Sequence, residues 1–447
     1  MITGFLILLF ILIIFSYYGA QSNYFFSDDF EWLSRGIISQ SNPLEIIRIK
    51  GRDFNPLFII ITSILIKFFG LSPFFFRVFI FIVFFITMYL LYTIISRVLK
   101  VNDYIALVSI FLLSMNVYVS EILLNYSASV YLFAFLFFLI ALYYYNKGKY
   151  PFFILFFIVS LLFKEVIFLG FVTFLFVKRE LKGKIILIVS LLSFIIARII
   201  LQTGSSSNYT SFISSKFLLI KIYFIFSRSI NINPYSTPPL TGFIIIILFF
   251  IASVFLIIKN KNYIFPFSFF YIYLFFFSLF PKLSSRYLFL PAVGFILFLS
   301  IILNDLAEKY KKTKIFFYLL IIISFLYNLP LIKKEVQDYK ILGDFSKHFI
   351  EKQKISVRNS FHASSGNNVF LRKGEYESIK KIYRLIQKRG NLPKLLPVRK
   401  DSIGGVIYPE DLIPIVLYPK YIAKWETLKQ TKNGYYGKIV ILNRRKS

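Results

Sequence analysis

A succession of apolar stretches, running from the first residues to about Pro330, constrains this chain more than any other feature. Each approaches the roughly 20 residues that a helix needs to cross the hydrocarbon core of a bilayer. They fall at residues 3 to 19, 75 to 97, 103 to 120, 128 to 145, 150 to 163, 165 to 178, 184 to 202, 242 to 258, 263 to 280, 286 to 304 and 315 to 331, eleven in all. Inside hydrocarbon the backbone satisfies its own polar groups only as helix or closed barrel. The expected fold is therefore an all-α polytopic membrane protein of about 11 transmembrane helices. With 57% apolar and 20% aromatic residues, the composition excludes an ordinary soluble enzyme. The opening Met1-Ile2-Thr3-Gly4-Phe5 lacks the basic start of a secretory signal, so the first stretch reads as an uncleaved anchor.

Beyond Pro330 no stretch is long and apolar enough to span. Residues 331 to 447 hold 25 basic and 10 acidic residues and read as a separate, water-exposed module. The expected domains are thus a membrane domain over 1–330 and a basic C-terminal domain over 331–447. Helical patterns around Glu335 to Ile350 and Glu375 to Lys388 flank a Ser364-Ser365-Gly366-Asn367-Asn368 loop. Short β-like runs follow at Val416 to Tyr418 and Lys438 to Leu442, which suggests a small α/β fold. The basic excess suits anionic lipid headgroups or an acidic glycan. No recognisable nucleic-acid-binding motif accompanies the charge, so nucleic acid is not an expected partner.

Orientation follows from the short loops, since Lys and Arg are retained on the cytoplasmic side. With the N-terminus inside, the inner loops carry Arg97 and Lys100; Lys147 and Lys149; Lys178, Arg179, Lys182 and Lys184; Lys259 and Lys261; and Lys309, Lys311, Lys312 and Lys314. An odd number of spans then places the C-terminal domain outside the cytoplasm, as expected for a cell-membrane protein. Two segments, Asn55 to Gly70 and Lys216 to Ile230, are kept from spanning by this assignment and are expected to lie in the outer interface, apolar face down.

On this topology the charges of chemical interest collect on the outer face. The chain has no Cys, and its two histidines, His348 and His362, lie in the last quarter. Thiol chemistry is excluded, and an acid or base within the membrane part must be a carboxylate, Lys, Arg, Tyr or hydroxyl. The first outer loop contains Ser27-Asp28-Asp29-Phe30-Glu31-Trp32. Adjacent carboxylates at an apolar boundary repel each other and are partly desolvated, which raises one pKa and suits a general base. Helix capping explains the pair equally well, with Ser27 or Asp28 capping a helix that starts near Phe30. Further outer positions are Arg77, Glu121, the turn Phe163-Lys164-Glu165, and Arg286-Tyr287-Leu288 before Pro291. Taken singly, Arg77 and Arg286 read as headgroup anchors and Lys164 with Glu165 as a structural pair. Taken as a set on one face, they suit transfer from a lipid phosphate: cations hold the leaving phosphate, and a carboxylate takes the proton of an incoming hydroxyl. A soluble nucleotide donor is not implied, because no Gly-rich phosphate loop is present.

In this layout the chain resembles the GT-C glycosyltransferases, the multi-spanning superfamily that includes protein O-mannosyltransferases and aminoarabinose transferases. The landmarks are Asp28-Asp29 after the first span, Asn55-Pro56-Leu57 with Phe69-Gly70 to Arg77, Phe163-Lys164-Glu165, and Arg286-Tyr287-Leu288, covering roughly residues 20 to 300. The resemblance implies an inverting transferase that moves a sugar from a polyprenyl-phosphate donor to a hydroxyl of a protein, lipid or glycan acceptor on the extracytoplasmic face. It implies Asp28 as base with Asp29 in reserve, Glu121 as the second acidic residue, and Lys164 and Arg286 as donor-phosphate ligands. Tyr287, Arg77 and Glu165 would support them. No cofactor is implied, and a divalent metal is not indicated, because Asp28 and Glu121 supply few of the oxygens such an ion requires. The competing classes are a lipid-linked glycan flippase, expected to carry its polar residues near the midplane, and a glycan polymerase or ligase acting on lipid diphosphates.

Overall fold

The computed structural model describes residues 2–26, 28–47, 54–177, 181–202, 218–231, 239–280, 285–310, 313–363, 368–372, 414–415, 418, 421–430 and 434–444. In chain order the helices are α1 (Ile2–Ser16), α2 (Asp29–Ser39), α3 (Leu44–Ile47), α4 (Pro56–Phe69), α5 (Pro73–Thr93), α6 (Asp103–Ser114), α7 (Glu121–Leu124) and α8 (Val130–Asn146). They continue with α9 (Tyr150–Phe163), α10 (Phe168–Val172), α11 (Leu181–Gln202), α12 (Leu218–Ser229), α13 (Pro239–Lys259), α14 (Ile264–Ser278), α15 (Phe289–Lys309) and α16 (Thr313–Ala363). Three strands, β1 (Asn368–Arg372), β2 (Tyr421–Gln430) and β3 (Gly434–Arg444), form one antiparallel sheet in the order β1-β3-β2.

Among the described residues five helices are long and apolar enough to cross a membrane: Pro73–Val98, Ser127–Asn146, Thr241–Lys259, Arg286–Lys309 and Phe316–His348. These coincide with five of the eleven expected spans and make the chain an integral membrane protein. A sixth is present if α6 and the segment Val117–Leu124, bent by 64° at their junction, are counted together. The expected span at 184 to 202 lies within the continuous 22-residue α11, and the remaining expected spans are short or broken. At 1.5 Å per residue the 14 residues of α9 rise only about 21 Å against a core of about 30 Å. The expected span at 165 to 178 is three short pieces, a 3₁₀ turn at Glu165–Ile167, α10, and a second turn at Thr173–Phe176.

The chain divides into two compact units. The first comprises Met1–Tyr18, Phe81–Leu123 and Ala128–Glu335. Within it α8 and α15 are buried at the centre, whereas α13 turns Ile244, Ile247, Leu248, Ile251 and Phe255 outward, an apolar stripe suited to lipid chains. Aromatic rings do much of the packing: Phe133 and Phe137 of α8 stack on Phe163 of α9 at 5.3 and 5.4 Å. The turn joining these two helices places Gly148 at φ +70°, and Pro151 occupies the first turn of α9. Between α14 and α15, Gly294 lets the two backbones close so far that a Cβ there would lie 2.6 Å from the Cα of Phe270.

One expectation is corrected in this unit. The segment from Lys216 to Ile230 was placed in the outer interface, yet α12 packs against α13, α14 and α15, and every residue from Lys221 to Ser229 is buried. With apolar residues on nearly all sides of Lys221 and Arg228, the helix finds partners on every face.

The second unit comprises Gly19–Ile80, Leu124–Ser127 and Val336–Ser447. Here α2 lies on α4, with Gly36 admitting Thr62 and Ile66 to close range. The opposite side of α4 leaves Ile64, Phe68 and Phe69 exposed, so Pro56–Phe69 is a short amphipathic helix too short to span. Tyr418, from the C-terminal part of the unit, is buried and donates its hydroxyl to the carbonyl of Ile66 at 3.2 Å. The expected boundary at 330/331 falls inside the continuous α16, which carries Pro330 in its interior. The expected β run at Lys438 to Leu442 lies within β3. At the other expected run Tyr418 forms a turn, while residues 416–417, like the helical pattern at Glu375 to Lys388, lie outside the described residues.

Candidate functional site

In the second unit the acidic pair is split by its surroundings. Asp28 occupies the N-cap position of α2, where its carbonyl accepts from the Glu31 amide, but its side chain makes no capping hydrogen bond and is half-buried. Asp29 opens the helix and is completely buried. Its Oδ1 accepts from the Ser127 amide at 2.7 Å, and its Oδ2 accepts from the Phe26 amide at 3.3 Å. The same Oδ2 lies 3.6 Å from Nη2 of Arg77, whose side chain is equally enclosed. Burial pushes the Asp29 carboxyl up to about 6, outweighing the opposing pull of Arg77 and of the two amides; the nearby Asp28 adds to the rise.

Aromatic rings form the walls of this centre. Phe76 meets Phe25 edge-on at 5.1 Å and Tyr126 at 4.9 Å, and Tyr126 stacks on Phe58 at 4.9 Å. The Tyr126 hydroxyl shares a 2.6 Å hydrogen bond with Thr62 of α4. Asn125 Oδ1 accepts from both the amide and the hydroxyl of Ser127, which shapes the turn that presents this amide to Asp29. The expectation that Arg77 snorkels to the headgroups is therefore corrected: its guanidinium is sealed beside Asp29. Arg52 and Asp53 lie outside the described residues.

The first unit brings together the remaining expected residues. Glu121, at the start of α7, is buried, and its Oε2 accepts from the Arg286 amide at 2.7 Å. This bond fixes the 3₁₀ turn Ser285–Leu288 just before α15. The Arg286 guanidinium lies 5.9 Å from the Tyr287 ring, which stacks on Phe277 at 5.1 Å and meets Tyr131 at 6.2 Å. Lys164 holds its ammonium 5.8 Å from the other member of that pair, Tyr131. Its backbone is extended at φ −157°, because the chain breaks between α9 and the turn that begins with Glu165. Two cations are thus carried on a connected set of aromatic faces, an arrangement suited to holding an oxyanion while partly desolvated. Glu165 lies beside this group in sequence and is partly exposed.

Sequence reasoning missed Tyr131, Ser127, Tyr126 and Asn116. The signal for Asn116 was its amide in the middle of an otherwise apolar stretch. Its Oδ1 accepts from the Tyr118 amide, and its Nδ2 donates to the carbonyls of Arg228 and Ser229. Among the described residues no three His, Asp or Glu side chains gather as a metal-ligand group.

The helices and these two centres define a polytopic membrane protein with a buried acid centre and a cationic, aromatic cluster. No protein-family model and no curated relative matches the chain. Among solved structures it is similar to ArnT from Cupriavidus metallidurans, both bound to undecaprenyl phosphate (TM-score 0.43) and in the apo state (TM-score 0.44). Identity is 11% in each case, and the match covers 68% of this chain and 60% of the ArnT chain.

Proposed function

We propose that the protein is an inverting glycosyltransferase that moves a sugar from a polyprenyl-phosphate donor to an acceptor hydroxyl on the extracytoplasmic face. The supporting observation is the division of labour between two adjacent carboxylates. Asp29 is completely buried against Arg77 and two amides, whereas Asp28 at the helix start is only half-buried. A base has to reach the proton it removes, which favours Asp28. Asp29 and Arg77 serve as positioning residues that fix the loop holding Asp28.

In the proposed step Asp28 takes the proton of the acceptor hydroxyl as its oxygen attacks the anomeric carbon. The bond from that carbon to the phosphate oxygen breaks on the opposite side, so configuration inverts and polyprenyl phosphate leaves. Charge builds on the leaving phosphate, and Arg286 and Lys164 are assigned to stabilise it, with Tyr287 and Tyr131 orienting them. Glu121 holds Arg286 through its backbone. Glu165 is assigned a supporting role beside Lys164. The basic C-terminal domain is assigned to acceptor binding.

The reading is tested by supplying membranes containing the protein with a panel of radiolabelled polyprenyl-phosphate sugars and following label into acceptor. Transfer from a monophosphate donor supports it. Consumption of lipid diphosphate sugars alone would instead identify a polymerase or ligase.

A further inference from the structure

Arg228 is the strongest candidate outside the residues used so far. It sits in the last turn of α12, more than nine-tenths buried, with two rings close to its guanidinium: Tyr118 at 5.2 Å and Phe224 at 5.3 Å. Its Nε has no hydrogen-bond partner, and among the described residues no carboxylate pairs with it. A cation near a helix C-terminus is commonly explained by the partial negative charge of the last carbonyls. That explanation is weakened here, because the Arg228 and Ser229 carbonyls already accept from Asn116 Nδ2 at 3.3 and 3.2 Å.

The geometry limits what can bind. The Tyr118 and Phe224 rings pack close to the guanidinium, whose unbonded Nε belongs to the N–H fork that matches planar or tetrahedral oxyanions. The helix adds a second positive charge two turns earlier: Lys221 lies seven residues before Arg228 on the same side, with its ammonium donating to the Phe280 carbonyl at 2.8 Å. α12 also packs against the turn Ser285–Leu288, which carries Arg286. Burying a guanidinium without a counter-anion is costly, and a bound anion removes that cost.

We infer that Arg228, packed close to Tyr118 and Phe224, is a phosphoryl-binding residue, a contact for the lipid donor's phosphate additional to Lys164 and Arg286. The inference deepens the transferase reading and rests on it for the source of the phosphate.

The test uses the full-length protein in detergent and follows its melting temperature with farnesyl phosphate, phosphatidylglycerol or inorganic phosphate as probe, in wild type, Arg228→Gln and Arg228→Lys. Farnesyl phosphate is expected to stabilise the wild type. Its apparent affinity should fall at least tenfold in Arg228→Gln and less in Arg228→Lys, which keeps the charge but loses the fork. Ligand-free Arg228→Gln should melt close to wild type, because loss of the two ring contacts is offset by removal of a buried charge. An Arg228-dependent response to phosphatidylglycerol or inorganic phosphate also supports the phosphoryl site and identifies a lipid headgroup or free phosphate as its source. Wild-type affinity for every probe in Arg228→Gln overturns the inference, as does the absence of any stabilisation in wild type. Should Arg228→Gln not fold, Arg228→Lys decides, since unchanged affinity there sinks the fork. Arg228-dependent binding without sugar transfer would overturn the transferase reading while leaving the site standing.

Discussion

Asp29 and Arg77 face each other at 3.6 Å, carboxylate oxygen to guanidinium nitrogen, with neither side chain exposed to solvent. A pair enclosed to this degree is costly to break from one side, because the survivor is left as an uncompensated buried charge. Arg77→Met is expected to destabilise the protein by about 3–5 kcal/mol. Combining it with Asp29→Asn should recover a large part of that loss, since both charges are then gone. Melting of the two single variants and the double variant in detergent checks the coupling.

Asp29 also makes stability depend on pH. Its carboxyl is raised from 3.8 to about 6 in the folded protein, so the native state holds a proton that the unfolded chain has released. The stabilisation is therefore full below about pH 3.8 and is lost as pH rises through about 6, with a total near 3 kcal/mol at about 1.4 kcal/mol per unit. Melting temperature should fall across this window and level off above it, and Asp29→Asn should flatten that part of the curve.

Glu121 acts on Arg286 through the backbone, accepting its amide at 2.7 Å. Glu121→Gln keeps an acceptor oxygen and should retain most of the affinity for the lipid donor. Glu121→Ala releases the Ser285–Leu288 turn, and loss of a charge-assisted bond of about 1.5–3 kcal/mol corresponds to a KM for donor about 10- to 100-fold higher. Steady-state kinetics with varied donor separates the two variants.

Close approach of α14 and α15 depends on Gly294. A Cβ there would lie 2.6 Å from the Phe270 Cα and 2.7 Å from its backbone nitrogen, so the helices must part. Gly294→Ala should cost about 1–3 kcal/mol, the usual penalty of overpacking. Gly4→Ala is the control: nothing lies within 4 Å of its added Cβ, and melting should be unchanged or slightly higher.

The long spans were legible because length and apolarity alone define them: four of the five that pass in the structure overlap the expected segments closely, and the fifth, Phe316–His348, runs well past the expected 315 to 331. Their packing was not. Where nearly every position is apolar, periodicity no longer tells a buried face from a lipid-facing one, and α12 was misplaced for that reason. At the bend after α6 stands Asn116, whose partners Arg228 and Ser229 are more than a hundred residues away. The acidic pair was legible as a pair, but its division was not, because the Ser127 amide and Arg77 that hold Asp29 come from distant parts of the chain. Capping and catalysis had equal standing in the sequence. In the structure Asp28 takes the N-cap position without using its carboxylate as a cap.

The most direct measurement is sugar transfer from a polyprenyl-phosphate donor by purified wild type and Asp28→Asn, with melting recorded on the same samples. Removing a general base costs about 10²- to 10⁴-fold. The account predicts a loss of that size in a variant that melts cooperatively as a folded protein. Wild-type transfer by Asp28→Asn would contradict it.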